Sequence, residues 1–276
     1  FVDHWRALLV TLVVLDHAVH AYSVHYANMW FLPDAARSLF CDVFHLHNDS
    51  FMMPTLFFIA GLFVLPALHR HGAAGFLKER ALRLVVPFVV GLPLVSPLLT
   101  YPPYVVEHGP IPFLRFVTTV WLDEPEVGPF WFLYYLSILN LGAVLVHTVR
   151  PSFFQGLGAR VRRIVERPLL AFVFCGSVLA AVLTLSDQIW GAPWWIGYTR
   201  LLRVRGSRFL VEGGMFYLGI ATAAAGLLDD RRFWDRFGRR WQRWAVAGLA
   251  IGTVYVWYTL AYFDTETQDE IVVDTN

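Results

Sequence analysis

The feature that most constrains this chain is a series of apolar runs, each long enough to cross the roughly 30 Å hydrocarbon layer of a membrane as a helix. Seven are read: Trp5 to Tyr22, Phe51 to Leu68, Leu82 to Tyr101, Phe130 to Val149, Leu169 to Trp190, Phe209 to Leu228 and Trp244 to Phe263. In lipid every backbone amide needs an internal partner, which admits only helices and closed barrels. No run alternates with period two, so helices are expected and a barrel is not. The chain reads as all-α, a polytopic transmembrane helical bundle that forms one integral membrane domain over residues 1–276.

Composition removes several function classes. The chain is 57% hydrophobic and 16% charged, with a formal net charge of +1 and a mean hydropathy of +0.52. That balance excludes a disordered chain and a nucleic-acid-coating protein, so no nucleic-acid partner is expected. Cys41 and Cys175 lie far apart, which offers neither a disulfide framework nor a CxxC metal site. No strand is credible, so no glycine-rich phosphate loop or nucleophile elbow has a strand to follow.

Basic residues set the expected orientation. On one side lie Arg70, Lys78, Arg80 and Arg83, then Arg150, Arg160, Arg162, Arg163 and Arg167, then Arg231, Arg232, Arg236, Arg239, Arg240 and Arg243. The opposite connections hold only Arg37, Arg115, Arg200, Arg203, Arg205 and Arg208, and the tail after Phe263 is acidic. The richer side is cytoplasmic by the positive-inside rule, and the amino terminus shares it. Arg200, Arg203, Arg205 and Arg208 lie in one outer connection near Trp190, Trp194 and Trp195. Two readings stay open there: anchoring at lipid phosphates, or a site for an anionic or sugar-like ligand.

The first run carries the heaviest polar load, with Asp3, His4, Arg6, Asp16, His17 and His20 in or beside it. Asp16 and His17 interrupt what a cleaved leader would keep apolar, so the run is read as a span. Each ionisable group inside a membrane helix costs roughly 2.5 to 3.5 kcal/mol, which reserves such groups for a bundle interior or a wet cavity. Arg6 and His17 are 11 residues apart, about 20° around a helix and about 16 Å along it, so they share a face. Asp16 and His20 are spaced i, i+4 and are expected to satisfy each other locally. For His17 two readings stand: a histidine bonded to a carbonyl or water near the interface, or a neutral imidazole serving as general base. His45, His47 and Asp49 precede the second run with loose ligand spacing and no second ligand set, so they are expected in a solvated outer loop and no metal is assigned.

These residues carry a resemblance. The stretch from Asp3 to Tyr22, DHWRALLVTLVVLDHAVHAY, resembles the D-x-x-R-x(10)-H signature of the membrane acyltransferase-3 superfamily. Three further pieces follow in that family's order: FMMPTLFFIAG from Phe51 to Gly61, FLKERALRLVVP from Phe76 to Pro87, and GPFWFL from Gly128 to Leu133. Within the superfamily the chain looks most similar to the branch typified by the glucan-biosynthesis succinyltransferases.

The resemblance implies an O-acyltransferase of the bacterial inner membrane. It would move an acyl group from cytoplasmic acyl-CoA to a hydroxyl of an envelope glycan or similar acceptor, among membrane lipids, with acyl-CoA as substrate and no further cofactor. His17 falls on the catalytic histidine, Arg6 on its paired arginine, and Arg80 with Arg83 on the basic pair that meets the donor. Asp3, Tyr22 and Trp131 stand as supporting substrate contacts. Arginine forks suit a phosphate-rich donor, although Arg80 and Arg83 also fit ordinary cytoplasmic anchoring. The sequence departs from the family at Ala60, where a serine is usual, and in Trp131 to Leu139, which lacks the usual glutamate. The family commonly has about ten spans, so truncation of this chain is expected. A transporter or permease, or an inactive membrane sensor of the same fold, are the rival readings; concentration of polar residues in one run, rather than in matched repeats, argues against transport.

Overall fold

The computed structural model describes residues 2–27, 31–190, 195–199 and 202–273. They form α1 (Val2–His20), α2 (Leu39–Leu62), α3 (Val64–Arg80), a π turn (Ala81–Val85), α4 (Val86–His108), α5 (Phe113–Phe116) with a π turn (Val117–Trp121), and α6 (Trp131–Val149). There follow α7 (Phe153–Val165), α8 (Pro168–Trp190), β1 (Trp195–Thr199), β2 (Leu202–Arg205), α9 (Gly206–Ala224), α10 (Arg231–Gly238) and α11 (Trp241–Val273). The helical fold class expected from the apolar runs holds, and each run falls on helix. Three helical stretches, Val64–His108, Gly128–Val149 and Trp241–Ala261, are long and apolar enough to cross a membrane by length and composition. α1, at 19 residues, is shorter and carries Asp3, Arg6 and Asp16.

Four local features differ from the sequence expectation. The second run is split at Phe63, and its helix begins at Leu39, so His45, His47 and Asp49 lie within α2 and not in an outer loop. The connection expected between the second and third runs is helical on both sides of Gly72, whose φ of 66° and ψ of 173° break the path; that conformation is open to glycine at little cost. The basic stretches after Val149 and Asp230 are the amphipathic helices α7 and α10. A short antiparallel hairpin, with Trp195 opposite Arg205, precedes α9, where pairing of two strands satisfies backbone groups locally. Arg200 and Trp194 lie outside the described residues, as do the side chains of Trp190, Trp195, Arg203 and Arg205.

The chain divides into two compact units, residues 1–53 with 230–276, and residues 54–229. In the first unit α1 turns its apolar side chains outward: Val10, Val14 and Leu15 are exposed while Leu9 and Asp16 are buried. Such inversion suits a helix whose solvent is lipid, where polar groups seek the protein interior. The segment after α1 is fastened by Asp42 in the first turn of α2. Its buried carboxylate accepts from the Ser23 hydroxyl and from the backbone N–H groups of Val24 and His25, both at 2.8 Å. Tyr26, Leu46 and Val256 form a cluster that joins this segment, α2 and α11.

In the second unit α9 crosses the carboxyl-terminal part of α2 at two glycines. A Cβ on Gly61 would strike the Phe216 carbonyl, and one on Gly219 would strike the Phe58 carbonyl. Lipid is as apolar as leucine, so helices in it associate by close packing, and small residues at the crossing permit it. Phe57, Phe216, Ile220 and Ala221 are fully buried around that contact. Tyr135 of α6 donates its hydroxyl to the Phe209 carbonyl at 2.6 Å. Arg162 of α7 donates to the Ala225 carbonyl at 2.9 Å, which supplies a cation at the carboxyl end of α9. A smaller aromatic cluster of Leu92, Phe116 and Trp121 is pinned where the Trp121 indole donates to Ser96 at 3.0 Å.

Candidate active site

In the first unit, the inward flank of α1 ends in three ionisable side chains within one turn and a half. His17 is half-buried, and its Nδ1 lies 2.7 Å from the Val13 carbonyl. The contact is a hydrogen bond only if Nδ1 carries the proton, which leaves the lone pair on Nε2, the tautomer a general base requires. His20 repeats the arrangement one turn later, with Nδ1 3.0 Å from the Asp16 carbonyl.

The Asp16 side chain makes its hydrogen bond elsewhere. Its carboxylate meets Nδ1 of His45 on α2, at 3.1 and 3.2 Å to the two oxygens, and both side chains are 5% exposed. The local Asp16–His20 pair expected from i, i+4 spacing is therefore made through the backbone carbonyl, and the carboxylate serves the facing helix. The rings of His20 and His45 lie with centroids 4.1 Å apart, those of His17 and His20 6.2 Å apart, and Tyr26 meets His45 edge-on at 4.9 Å. Three imidazoles thus stand in series, with a buried carboxylate beneath the last.

The remaining residues singled out in this unit are more open. Arg6 pairs with Asp3 at 3.9 Å, with side chains 57% and 93% exposed, an arrangement worth less than about 1 kcal/mol. Tyr22 is exposed, and its backbone carbonyl accepts from the Ser38 N–H at 2.9 Å. Arg6 and His17 lie on α1 three turns apart, so the helix does not bring them together.

In the second unit Arg80 and Arg83 stand at the end of α3 and in the π turn after it. Arg83 is exposed and pairs with Glu79 at 2.8 Å. Arg80 lies back over the Phe76 ring, its guanidinium carbon 5.0 Å from the centroid, a cation–π contact that also orients the fork. The two arginines therefore occupy different surroundings despite their spacing of three. Trp131 begins α6, half-buried, and stacks on Phe57 with ring centroids 6.2 Å apart.

Sequence reasoning missed the Asp16–His45 pair and the Asp42 anchor. For His45 the signal was present in HLHNDS from His45 to Ser50, but a largely polar stretch reads as a loop unless its helical phase is checked against the preceding span.

Comparison with known proteins adds the lineage. A family model for an acyltransferase domain matches residues 1–272. The chain is 25% identical over 225 residues to the glucans biosynthesis protein C of Salmonella gallinarum, covering 79% of this chain and 55% of that one. Proteins of the same name from Salmonella schwarzengrund and Salmonella typhi are 27% identical over 154 residues, covering 54% of this chain and 38% of each relative. The chain thus spans about half the length of the first of these relatives and less of the others. No solved structure matches it. With apolar helices fit to cross a bilayer and a family match along nearly all its length, the chain belongs to the acyltransferase-3 family of membrane proteins.

Proposed function

We propose that this protein is a membrane O-acyltransferase that moves an acyl group from acyl-CoA to a hydroxyl of an envelope glycan in the bacterial inner membrane, with its amino terminus cytoplasmic. The observation that carries this reading is the Val13 carbonyl 2.7 Å from Nδ1 of His17, on the histidine of the D-x-x-R-x(10)-H pattern, which leaves Nε2 as the base. The family match along residues 1–272 supports the reaction class, and treats as one domain what divides into two compact units.

In the proposed step Nε2 of His17 removes the proton from the acceptor hydroxyl as its oxygen attacks the thioester carbonyl. A C–O bond forms, the C–S bond breaks, and the proton passes to the departing thiolate of CoA, so atoms and charge balance. Arg80 and Arg83 bind the phosphates of the donor, whose fork-like recognition suits guanidinium. Arg6, paired with Asp3, keeps the opposite end of α1 polar, and Tyr22 and Trp131 contact substrate.

Transfer of labelled acyl groups from acyl-CoA to glycan acceptors in membranes tests the assignment. His17→Ala, at unchanged expression and insertion, is expected to lower transfer by about 10² to 10⁴-fold, the range a positioned general base supplies. Retention of wild-type transfer would remove His17 from the chemistry, and uptake of solute into vesicles without acyl transfer would point to a transporter.

A further inference from the structure

We infer that Asp16, His20 and His45 bind one divalent transition-metal ion of the zinc class. Each residue offers one ligand atom, and the three atoms lie within 4.8 Å of one another. Two come from one helix at i, i+4, a spacing that puts both on one flank, and the third comes from α2. Nδ1 of His45 and a carboxylate oxygen of Asp16 are 3.1 Å apart, close to the roughly 3.3 Å separating two ligands that each sit about 2.0 to 2.1 Å from a tetrahedral ion.

Two further observations point to an ion. Nδ1 of His20 faces the Asp16 carbonyl at 3.0 Å, which holds the ring in the tautomer with its lone pair on Nε2; a ligating histidine is usually oriented by such a bond through its other nitrogen. On α2, Asn48 is 4% exposed, and its Nδ2 has no hydrogen-bond partner among the described residues. It follows His45 by three positions, the same flank of α2, where a donor can meet a water held in the fourth coordination position of the ion.

The charge of the cluster is compatible with a dication. A carboxylate 4% exposed, as Asp16 is, needs compensation in a medium of low polarity. A divalent ion matches the carboxylate and uses both imidazoles in their neutral form, leaving one positive charge to polarise the bound water. The ligand set of two histidines and one carboxylate with an open position suits zinc, and cobalt can report on it.

The test uses the full chain purified in detergent, stripped with a chelator and titrated with Co²⁺ and then Zn²⁺. One equivalent of Co²⁺ with the intense visible bands of a four-coordinate site, displaced by Zn²⁺, is the expected result. Loss of one ligand exceeds the tenfold to hundredfold effect typical of an orienting neighbour, so His20→Gln and Asp16→Asn are each expected to weaken Zn²⁺ by more than about 100-fold. His108→Gln should leave affinity unchanged. Absence of stoichiometric Co²⁺ binding, or full Zn²⁺ affinity in both ligand variants, would overturn the site and leave Asp16 and His45 as a metal-free hydrogen-bonded pair. If a variant does not purify as a single species, the wild-type stoichiometry and spectrum decide alone. Metal content is measured apart from acyl transfer, so failure of either proposal is told from failure of the other.

Discussion

Around α1 the buried side chains include Asp16, Ser23, Asp42, His45 and Asn48, whereas around α9 they are chiefly Phe57, Phe216, Ile220 and Ala221, with Glu212 the polar exception on α9 itself and Ser96 and Asn140 the others in that unit. Both regions are wrapped in outward-facing valine, leucine and aromatic residues, so the same lipid-like solvent surrounds two different interiors. Where the interior is polar, hydrogen bonds fix the geometry: Asp42 holds three donors and Asp16 holds a ring. Where it is apolar, steric fit at Gly61 and Gly219 fixes it. The polar interior holds ionisable groups, and the apolar one is packed backbone against backbone.

That contrast can be broken by substitution. The largest stability loss is expected for Gly219→Val, because the clash is with backbone that cannot swing aside; overpacking typically costs about 1 to 3 kcal/mol, and this site belongs at or beyond the upper end. Melting of the purified protein in detergent checks it, and wild-type stability would mean that the crossing is looser than it looks. Asp42→Asn comes next. An amide keeps one acceptor oxygen for what were two, leaving at least one buried donor unmatched at about 1 to 3 kcal/mol. Protease nicking between Tyr22 and Ser38 should rise, and an unchanged digestion rate would refute the anchoring role.

Arg83→Gln sharpens the comparison from the other side. Its pair with Glu79 is exposed and contributes less than about 1 kcal/mol, so stability should hold while the KM for acyl-CoA rises and kcat stays near wild type. A variant that loses stability and keeps its KM would recast Arg83 as a structural residue.

Much of this was legible in the sequence, for identifiable reasons. The helical runs follow from length and apolarity, which lipid enforces without reference to neighbours. The polar load of α1 was visible because ionisable residues stand out in an apolar run, while the role given to His17 came from the family resemblance. The Asp16–His45 pair was not, because it depends on α2 starting at Leu39 and on which flank of α2 faces α1, neither of which any local pattern states. The same holds for Gly61: the Ala60–Gly61 pair was noted as a family feature, but the partner that makes the glycine necessary, Phe216, lies far along the chain. Arg80 and Arg83 were read as a pair from the family resemblance, whereas a π turn begins between them and gives each its own surroundings.

That turn has an evolutionary corollary. Across Ala81–Val85 the Val86 N–H reaches back five residues, to the Ala81 carbonyl, so the rod contains one amino acid more than an α-helix of the same reach would use. Deleting a single codon within the bulge would let ordinary winding resume, with the faces on either side still aligned. The same deletion anywhere else in α4 would rotate everything beyond it by about 100°. Homologues should therefore differ in length here more readily than along the rest of the rod, carrying the arginine to a new angle without disturbing its neighbours.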